Sequence, residues 1–433
     1  MNIDIPDYNA LPVITQNQMD DILKKHAMYL CGQVGGSRAV LQYKNLSNLI
    51  FQNKDLSQAD FTGSALVNTD LSLGTYVSAN FFGCDLRGAD LSHANLSRCD
   101  LRGSTLSNAN LTSANLEKAD MRSGSIMQKR NNEDLITRPR AEGKGAQTIL
   151  AGARLSNANL SGIRARDADF SNADLYKAKI HNASFQNARF TGSNLSHVDF
   201  TNSDLTQCDM REAILSDTIF KNIEKRGIDK AGAITNDDLG KQLKDNEDEL
   251  MERLSKHNQW VSTAGAKGTQ LDLSGFDLRS ITNLREFSLT AIRAVQSCFL
   301  NLDIHKINMQ SAVLDRSDFR DCYMEFADLR GSSLKNAKFT RANLRNAKLS
   351  PLKFKGNNNT PILRRVDLSG ADMRFADLQN IDLRDAILMG VDLSHSDLSG
   401  ADLRRADLTG AKLNSTILNG ASLDKAIIDF KSI

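Results

Sequence analysis

Large apolar residues recur at every fifth position along most of this chain. The first run begins at Leu41, passes through Leu46, Phe51, Leu56, Phe61, Leu66, Leu71, Tyr76, Phe81 and Leu86, and ends at Met121 and Ile126. Two residues ahead of each stands a small one, as at Ala59, Ser64, Ala79, Ala89, Ala94, Ala109, Ala114 and Ala119. A period of five fits neither the turn of a helix nor the two-residue alternation of a strand. It fits a square coil in which five residues form one side and turn one corner. In so narrow a coil the large residue points inward, the small one shares the interior, and the polar residue between them points out. Each inward Leu or Phe then contributes about 1.5–3 kcal/mol through burial. Stacked coils pair their backbone groups at a spacing of roughly 4.8 Å.

Three further runs keep the period in shifted phase. One extends from Leu150 to Phe220; another starts at Leu273 and Leu278, slips by one residue at Leu284, and continues to Phe354. The last holds Leu363, Leu368 and each fifth residue to Ile428. The polar interruptions at 127–149 and 355–362 are predicted to be loops extruded from a continuing coil. Residues 284–310 carry Ala294 at a central position and Phe287, Ile292, Leu302 and Ile307 where small residues belong, which predicts wider or distorted coils.

Between 221 and 259 the period disappears. Residues 236–261 read as an amphipathic helix with Asn236 as N-cap and an apolar stripe of Leu239, Leu243, Leu250 and Leu254. A similar helix, QNQMDDILKKHAMYL, precedes the first run. At an offset of 231 residues, Met19 matches Leu250, Leu23 matches Leu254, His26 matches His257, Tyr29 matches Trp260 and Leu30 matches Val261. Glycines follow in both copies, Gly32, Gly35 and Gly36 in one and Gly265 and Gly268 in the other. The chain thus reads as one plan used twice: residues 1–40 and 221–262 as terminal or linking segments with cap helices, 41–220 and 263–433 as coil stacks. A stack of about eight coils spans roughly 40 Å, and a cap helix covers the apolar, unpaired edge of its first coil.

The consensus, A-[D/N]-[L/F]-x-x, is plain in ADLSHANLSRCDLRG and ADLRRADLTG. It resembles the pentapeptide-repeat family of bacterial proteins. The resemblance implies an all-β solenoid: two right-handed quadrilateral parallel β-helices, here with short α-helical N-terminal caps. It also implies dimerisation through C-terminal coils, as in the gyrase-binding members, whose extruded loops engage their partner. The final coil carries Ile427, Ile428, Phe430 and Ile433 and no helix, so a second copy of the chain is expected to cover it.

Charge adds little in bulk: 54 Lys and Arg stand against 52 Asp and Glu in 433 residues. The first residues lack a basic region followed by an apolar core, and no stretch approaches 18 apolar residues, which argues against a secretory signal or a spanning helix. The six cysteines form no CxxC pair; Cys84, Cys99, Cys208 and Cys322 fall on the small position, and a reducing cytoplasm is the expected compartment. No metal, nucleotide or nucleophile motif is present, so no enzyme activity and no cofactor are expected. His26 and His257, each three residues before an aromatic (Tyr29, Trp260), are read as bonding the backbone of the first coil, a ligand role being the alternative. Outward Asp residues followed by Arg, as in CDLRG, are read as solvated pairs worth little each.

One local feature stands out. From Leu329 to Val366 there are ten basic residues and no acid: Arg330, Lys335, Lys338, Arg341, Arg345, Lys348, Lys353, Lys355, Arg364 and Arg365. Lys335 and Lys355 are expected to stack on one face. The belt is a candidate surface for nucleic acid, an anionic membrane or an acidic protein. A second cluster, Lys129, Arg130, Arg138, Arg140 and Lys144, lies in the 127–149 loop. The leading function is a non-catalytic scaffold binding a protein partner through flat faces. The alternatives are a DNA-mimic regulator of a topoisomerase such as gyrase and an anionic-surface binder through residues 330–365.

Overall fold

The computed structural model describes residues 10–124, 127–130, 133–137, 146–223, 226–242, 247–281, 284–355 and 361–429. The chain forms two compact units, Met1–Asn236 and Asp237–Ile433. In each, the five-residue period closes into four-sided coils. Parallel bridges link positions twenty apart, as in Asp60 with Asn80, Ala65 with Asp85 and Asp70 with Asp90. The ladder is regular: Leu41 N–H donates to Asp60 O at 2.6 Å and Asp60 N–H to Ala39 O at 3.0 Å, and the pattern repeats coil after coil. Large central residues are buried throughout, from Leu41 to Leu215 in the first unit and from Leu273 to Leu408 in the second. Because one rotamer repeats at the coil spacing, aromatic rings stack in columns: Phe61 on Phe81 at 4.7 Å, and Phe299, Phe319 and Phe339 at 4.5 and 5.0 Å.

Nearly every described corner is a tight turn whose third residue has positive φ, as at Asn48 (63°), Gln58 (63°) and His197 (58°). The residues that close the turn bond back to the central carbonyl, for example Ala59 N–H to Leu56 O at 3.0 Å. A left-handed corner is open to Asn, Gly and unbranched residues but strained for β-branched ones. No Val, Ile or Thr occupies a positive-φ position among the described residues. Where the residue before a central one is Asp or Asn, its side chain pins the same corner. Asp55 Oδ1 accepts the Ser57 N–H at 2.9 Å, and Asp85 accepts both the Arg87 backbone N–H, at 3.2 Å, and its guanidinium, at 2.8 and 2.6 Å.

The small position does more than make room. Cys84 and Cys99 donate their thiols to Phe61 O and Tyr76 O, 3.0 and 2.8 Å away, and Ser64 donates to Leu41 O at 2.5 Å. A polar atom inside the coil is therefore satisfied by a carbonyl of the adjacent coil. Gly74 is a different case. Tyr76 fills the space beside it, so a Cβ there would lie 2.5 Å from the Tyr76 hydroxyl.

Helix α1 (Gln16–Leu30) starts at Thr15, whose side chain and that of Gln18 form a capping box. The first extruded segment contains an antiparallel hairpin of β1 (Met127–Arg130) and β2 (Glu133–Thr137). The coil continues across it, Thr105 bridging to Ile149. Ile126, Arg138, Arg140 and Lys144 lie outside the described residues, and Lys129 and Arg130 sit on β1.

The first ladder runs beyond Phe220, where the sequence pattern ends: Asp209 bridges Asp229 and Ile214 bridges Ile234. In this last coil the central positions are polar (Lys230, Thr235), while Ile223, Ile228 and Ala233 at the small positions pack against the core. Lys230 Nζ lies 3.9 Å from the centre of the Phe220 ring and covers the end of the stack.

The second helix is shorter than its sequence predicts. Asn236 opens a 3-10 turn (Asn236–Asp238) rather than capping a helix, because its side chain is held at a coil corner by Ser216 and Asp217, at 2.7 and 2.9 Å. Gly240, at φ 102°, turns the chain into β3 (Lys241–Gln242), and helix α2 covers Glu247–Ser262. Leu250, Leu254 and His257 are buried on it; Leu239 is buried ahead of the helix, and Leu243 is outside the described residues. Strand β3 pairs in parallel with β4 (Phe276–Asp277) on the first coil of this unit.

The expected distortion of 284–310 is confined to its start. The coil bridging Asp272 to Arg293 has one extra residue, taken up in a 3-10 turn at Leu284–Glu286. From Ser288 onward the twenty-residue ladder is restored, as in Ser288 with Asn308 and Asp303 with Tyr323. Ala294 and Ile292 have exchanged sizes, both fully buried, so the interior volume is kept.

The second excursion is longer than its polar core suggests. It is an antiparallel hairpin of β5 (Leu352–Lys355) and β6 (Pro361–Arg364), and the coil resumes where Ser333 bridges Asp367. Phe354 and Leu363 keep the five-residue phase but lie on the hairpin, 42% and 54% exposed, not inward. Near the far end, β7 (Asp407–Leu408) pairs in parallel with β8 (Ile427–Ile428).

These interiors fix cysteine chemistry. Burial pushes the Cys208 and Cys298 thiols up to about 12 and raises those of Cys84, Cys99 and Cys322, whereas Cys31 is exposed. The thiolate is the reactive form. A maleimide titration of the native protein is therefore expected to label Cys31 alone, and all six thiols after denaturation; rapid native labelling of a second thiol would contradict the packed interior.

Candidate functional site

The two histidines singled out by the duplication occupy equivalent junctions. His26 is fully buried on α1; its Nδ1 accepts the Ala39 N–H at 3.0 Å and its Nε2 meets Ser57 O at 3.1 Å. His257 on α2 repeats this, accepting from Leu271 N–H at 3.0 Å and meeting Thr290 O at 2.9 Å. An acceptor at Nδ1 requires the neutral ring with its proton on Nε2, which donates to the carbonyl. The aromatic partner stacks in both, Tyr29 at 5.7 Å and Trp260 at 5.9 Å from the imidazole. Beyond each helix a glycine lets the chain cross the helix end: a Cβ on Gly36 would lie 2.4 Å from Tyr29 N, and one on Gly268 2.1 Å from Lys256 O.

Other edge groups of the first coil are met the same way. Asn45 N–H donates to Pro12 O and its carbonyl accepts from Ile14 N–H, at 2.9 and 3.1 Å. The Gln16 side-chain amide takes both the N–H and the carbonyl of Ile50, at 2.9 and 3.1 Å. In the second unit, Arg253 donates to Asp272 O and Lys241 N–H to Gly275 O. Sequence reasoning passed over Thr15, Gln16 and Gln18; the T-x-x-Q spacing was the available signal.

The basic belt divides in space. Neighbouring coils bring carboxylates that the linear stretch lacks. Arg330 pairs with Asp328 at 2.7 Å, Lys335 with Asp367 at 3.2 Å, Arg341 with Asp321 at 2.6 Å and Arg345 with Asp377 at 3.6 Å. Lys338 lies in a column between Asp318 and Asp372, and Lys348 between Asp328 and Asp382. Arg365 turns its guanidinium to the Asp385 and Ala386 carbonyls. Lys353 and Lys355 lie on β5 and Arg364 on β6, away from the coil, so Lys335 and Lys355 do not stack. Among the described residues, no group of three His, Cys, Asp or Glu side chains could hold a metal ion.

Among the described residues, nothing covers the last coil of the second unit. Leu413, Leu418, Leu423 and Ile428 are only partly buried and, with Leu393, Leu398, Leu403, Leu408 and Thr416, line an apolar recess of about 150 Å³. Phe430 and Ile433, expected at this end, lie outside the described residues.

Burial lowers the His26 and His257 pKa below the usual 6.5. Between that folded value and 6.5 the unfolded chain binds more protons, so this stability is complete above pH 6.5 and is lost as pH falls through the window. Carboxylates act lower: Asp209, held at about 2 by Arg211, contributes above 3.8 and loses its contribution toward pH 2. Denaturant midpoints are expected to fall from pH 7 to pH 5. The double variant His26→Gln, His257→Gln should lose about 1–3 kcal/mol per site at pH 7 and show a flatter slope. His395, stacked on Phe375 and also lowered by burial, leaves a residual one. An unchanged slope would remove the junctions from this account.

A family model described as pentapeptide repeats matches in eight copies, over residues 45–73, 79–122, 148–187, 183–222, 304–350, 362–385 and 386–424. No curated protein matches the chain. Among solved structures it is similar to a pentapeptide repeat protein from the Arabidopsis thaliana thylakoid lumen, at 29% identity over 29% of this chain and 70% of that one, with a TM-score of 0.22. It is also similar to QnrB1, a plasmid-mediated fluoroquinolone resistance protein, at 22% identity over 51% and 93% of the two chains (TM-score 0.27). A third is HetL of the cyanobacterium Nostoc sp. strain PCC 7120, a pentapeptide repeat protein involved in heterocyst differentiation regulation, at 21% identity over 92% and 94% (TM-score 0.14). With more than half of its residues inside the repeat matches, and a right-handed β-helix solenoid as the fold they imply, the chain belongs to the pentapeptide-repeat family.

Proposed function

We propose that this protein is a non-catalytic scaffold that binds a protein partner through flat β-helix faces. Each of two solenoids is closed at its N-terminal end by its helix, in a reducing cytoplasm. The observation that carries the reading is the inter-coil ladder, which pairs each side with the coils beside it and holds outward side chains in fixed columns. Such columns offer rigid recognition at little ordering cost. A DNA-mimic regulator of gyrase would call for an acidic face. Asp100 and Asp120 instead stand among Arg102, Arg122 and Arg164, with pairs of 2.6, 2.8 and 2.9 Å.

The open recess at the end of the second unit supports self-association, a second copy stacking its own end coil on these leucines. Light scattering of the full chain is expected to give twice the chain mass, and Leu418→Asp a monomer with little change in melting temperature. A monomeric wild type removes the dimer.

For the scaffold, the intact protein should retain a partner from native lysate, and charge reversal along one face (Arg102, Arg122 and Arg164 to Glu, for instance) should abolish that retention with folding intact. Retention surviving reversal on each of the four faces in turn would contradict recognition by a face.

A further inference from the structure

The belt from Leu329 to Val366 contains two populations of cations. Most of those on the coil stand beside carboxylates of their own or neighbouring coils, so their charge is locally matched. Lys353 and Arg364 on the hairpin do not: among the described residues neither forms an ion pair. The uncompensated charge of the belt is therefore concentrated on one protrusion.

The same protrusion carries three large apolar side chains in water. Phe354 is 42%, Ile362 58% and Leu363 54% exposed. Register places them around the hairpin. Phe354 faces Ile362 across the strands, and Lys353 faces Leu363, on the opposite side because neighbouring residues alternate. The base is anchored, Leu352 lying so near the Gly331 turn that a Cβ there would come within 3.0 Å of the Leu352 Cβ.

Apolar groups on both faces, with cations interleaved, do not match a protein groove, which takes one face. Ile362 and Leu363 gain nothing from nucleic-acid bases. The boundary between lipid headgroups and acyl chains takes such a girdle without regard to its shape, and anionic headgroups meet the charge. No described helix is long and apolar enough to cross a membrane, so contact would be at the surface. We propose that the β5–β6 hairpin docks this protein on anionic lipid bilayers, Phe354, Ile362 and Leu363 entering the interface while Lys353 and Arg364 pair with headgroups.

The register supplies a clean deletion. Ser333 bridges Asp367 across a coil fourteen residues longer than the usual twenty, and excision of 351–364 restores the five-residue step from Leu349 to Leu368. The full-length protein is co-sedimented with phosphatidylcholine vesicles, with and without phosphatidylserine, over a salt series. Binding is expected to require phosphatidylserine and to weaken with salt. Lys353→Gln with Arg364→Gln should cost about fivefold in partition per cation. Phe354→Ser with Leu363→Ser should cost about tenfold or more, by removal of apolar burial, and the excised protein should not bind. Both point-variant pairs alter exposed side chains outside the coil, so they carry the test even if the excised protein fails to fold. Binding without phosphatidylserine dependence, or undiminished by Phe354→Ser with Leu363→Ser, would overturn the proposal. Retention on polyglutamate that matches vesicle binding would assign the hairpin to an acidic protein and overturn it equally.

Discussion

The backbone ladder between coils is the constraint from which the rest follows. Each side of a coil spends its N–H and carbonyl groups on the coils adjacent to it, as Leu41 and Asp60 do. Once that pairing is fixed, the circumference is fixed too, and the interior admits one large and one small side chain per side. Burial of Leu and Phe supplies most of the favourable free energy, but the ladder decides where those residues stand. It also explains why extra sequence appears as antiparallel hairpins: a segment that leaves a side must return where it left for the next coil to pair.

The same constraint makes ends the expensive places in the fold. A first coil has donors and acceptors with no coil to meet them, and leaving them buried and unpaired costs about 1–3 kcal/mol each. The chain answers with side chains that imitate a strand. The Gln16 amide offers Ile50 a donor and an acceptor together, as a peptide group would, and the two imidazoles do so for groups that lie further apart. Outward charges, by contrast, do local work. An Asp that accepts its own corner N–H is useful with or without an Arg beside it.

Much of this was legible because five is a period no common element shares. The corner residue left a signal that the five-residue pattern alone did not use, the absence of Val, Ile and Thr from positive-φ positions among the described residues. What the sequence hid has specific causes. Phe354 and Leu363 happen to stand five residues from Leu349 and Leu368, so the pattern ran straight through a hairpin that had already left the coil. The first ladder outlived its pattern because Lys230 and Thr235 replaced apolar centres while Ile223 and Ile228 took over packing from the small positions. Asn236 looked like a helix cap because its neighbours are helix formers, yet a coil corner had a prior claim on its amide. The acid-free belt was a property of the string: apart from Asp328, which stands just ahead of it, its carboxylates arrive from coils above and below, twenty or more residues away.

Lys230 over Phe220 has a wider meaning. A stack of identical rungs has no inherent length, since each coil is as good a template for the next as the one before it. In the language of polymers, the first unit ends in a terminated chain: a charged group occupies the axis and makes further growth unfavourable. The last described coil of the second unit keeps leucine on its axis, which is the chemistry of a living end. Among the described residues, two solenoids of one design thus differ in what the axis of their last coil presents, a lysine over a ring in one and leucines in the other.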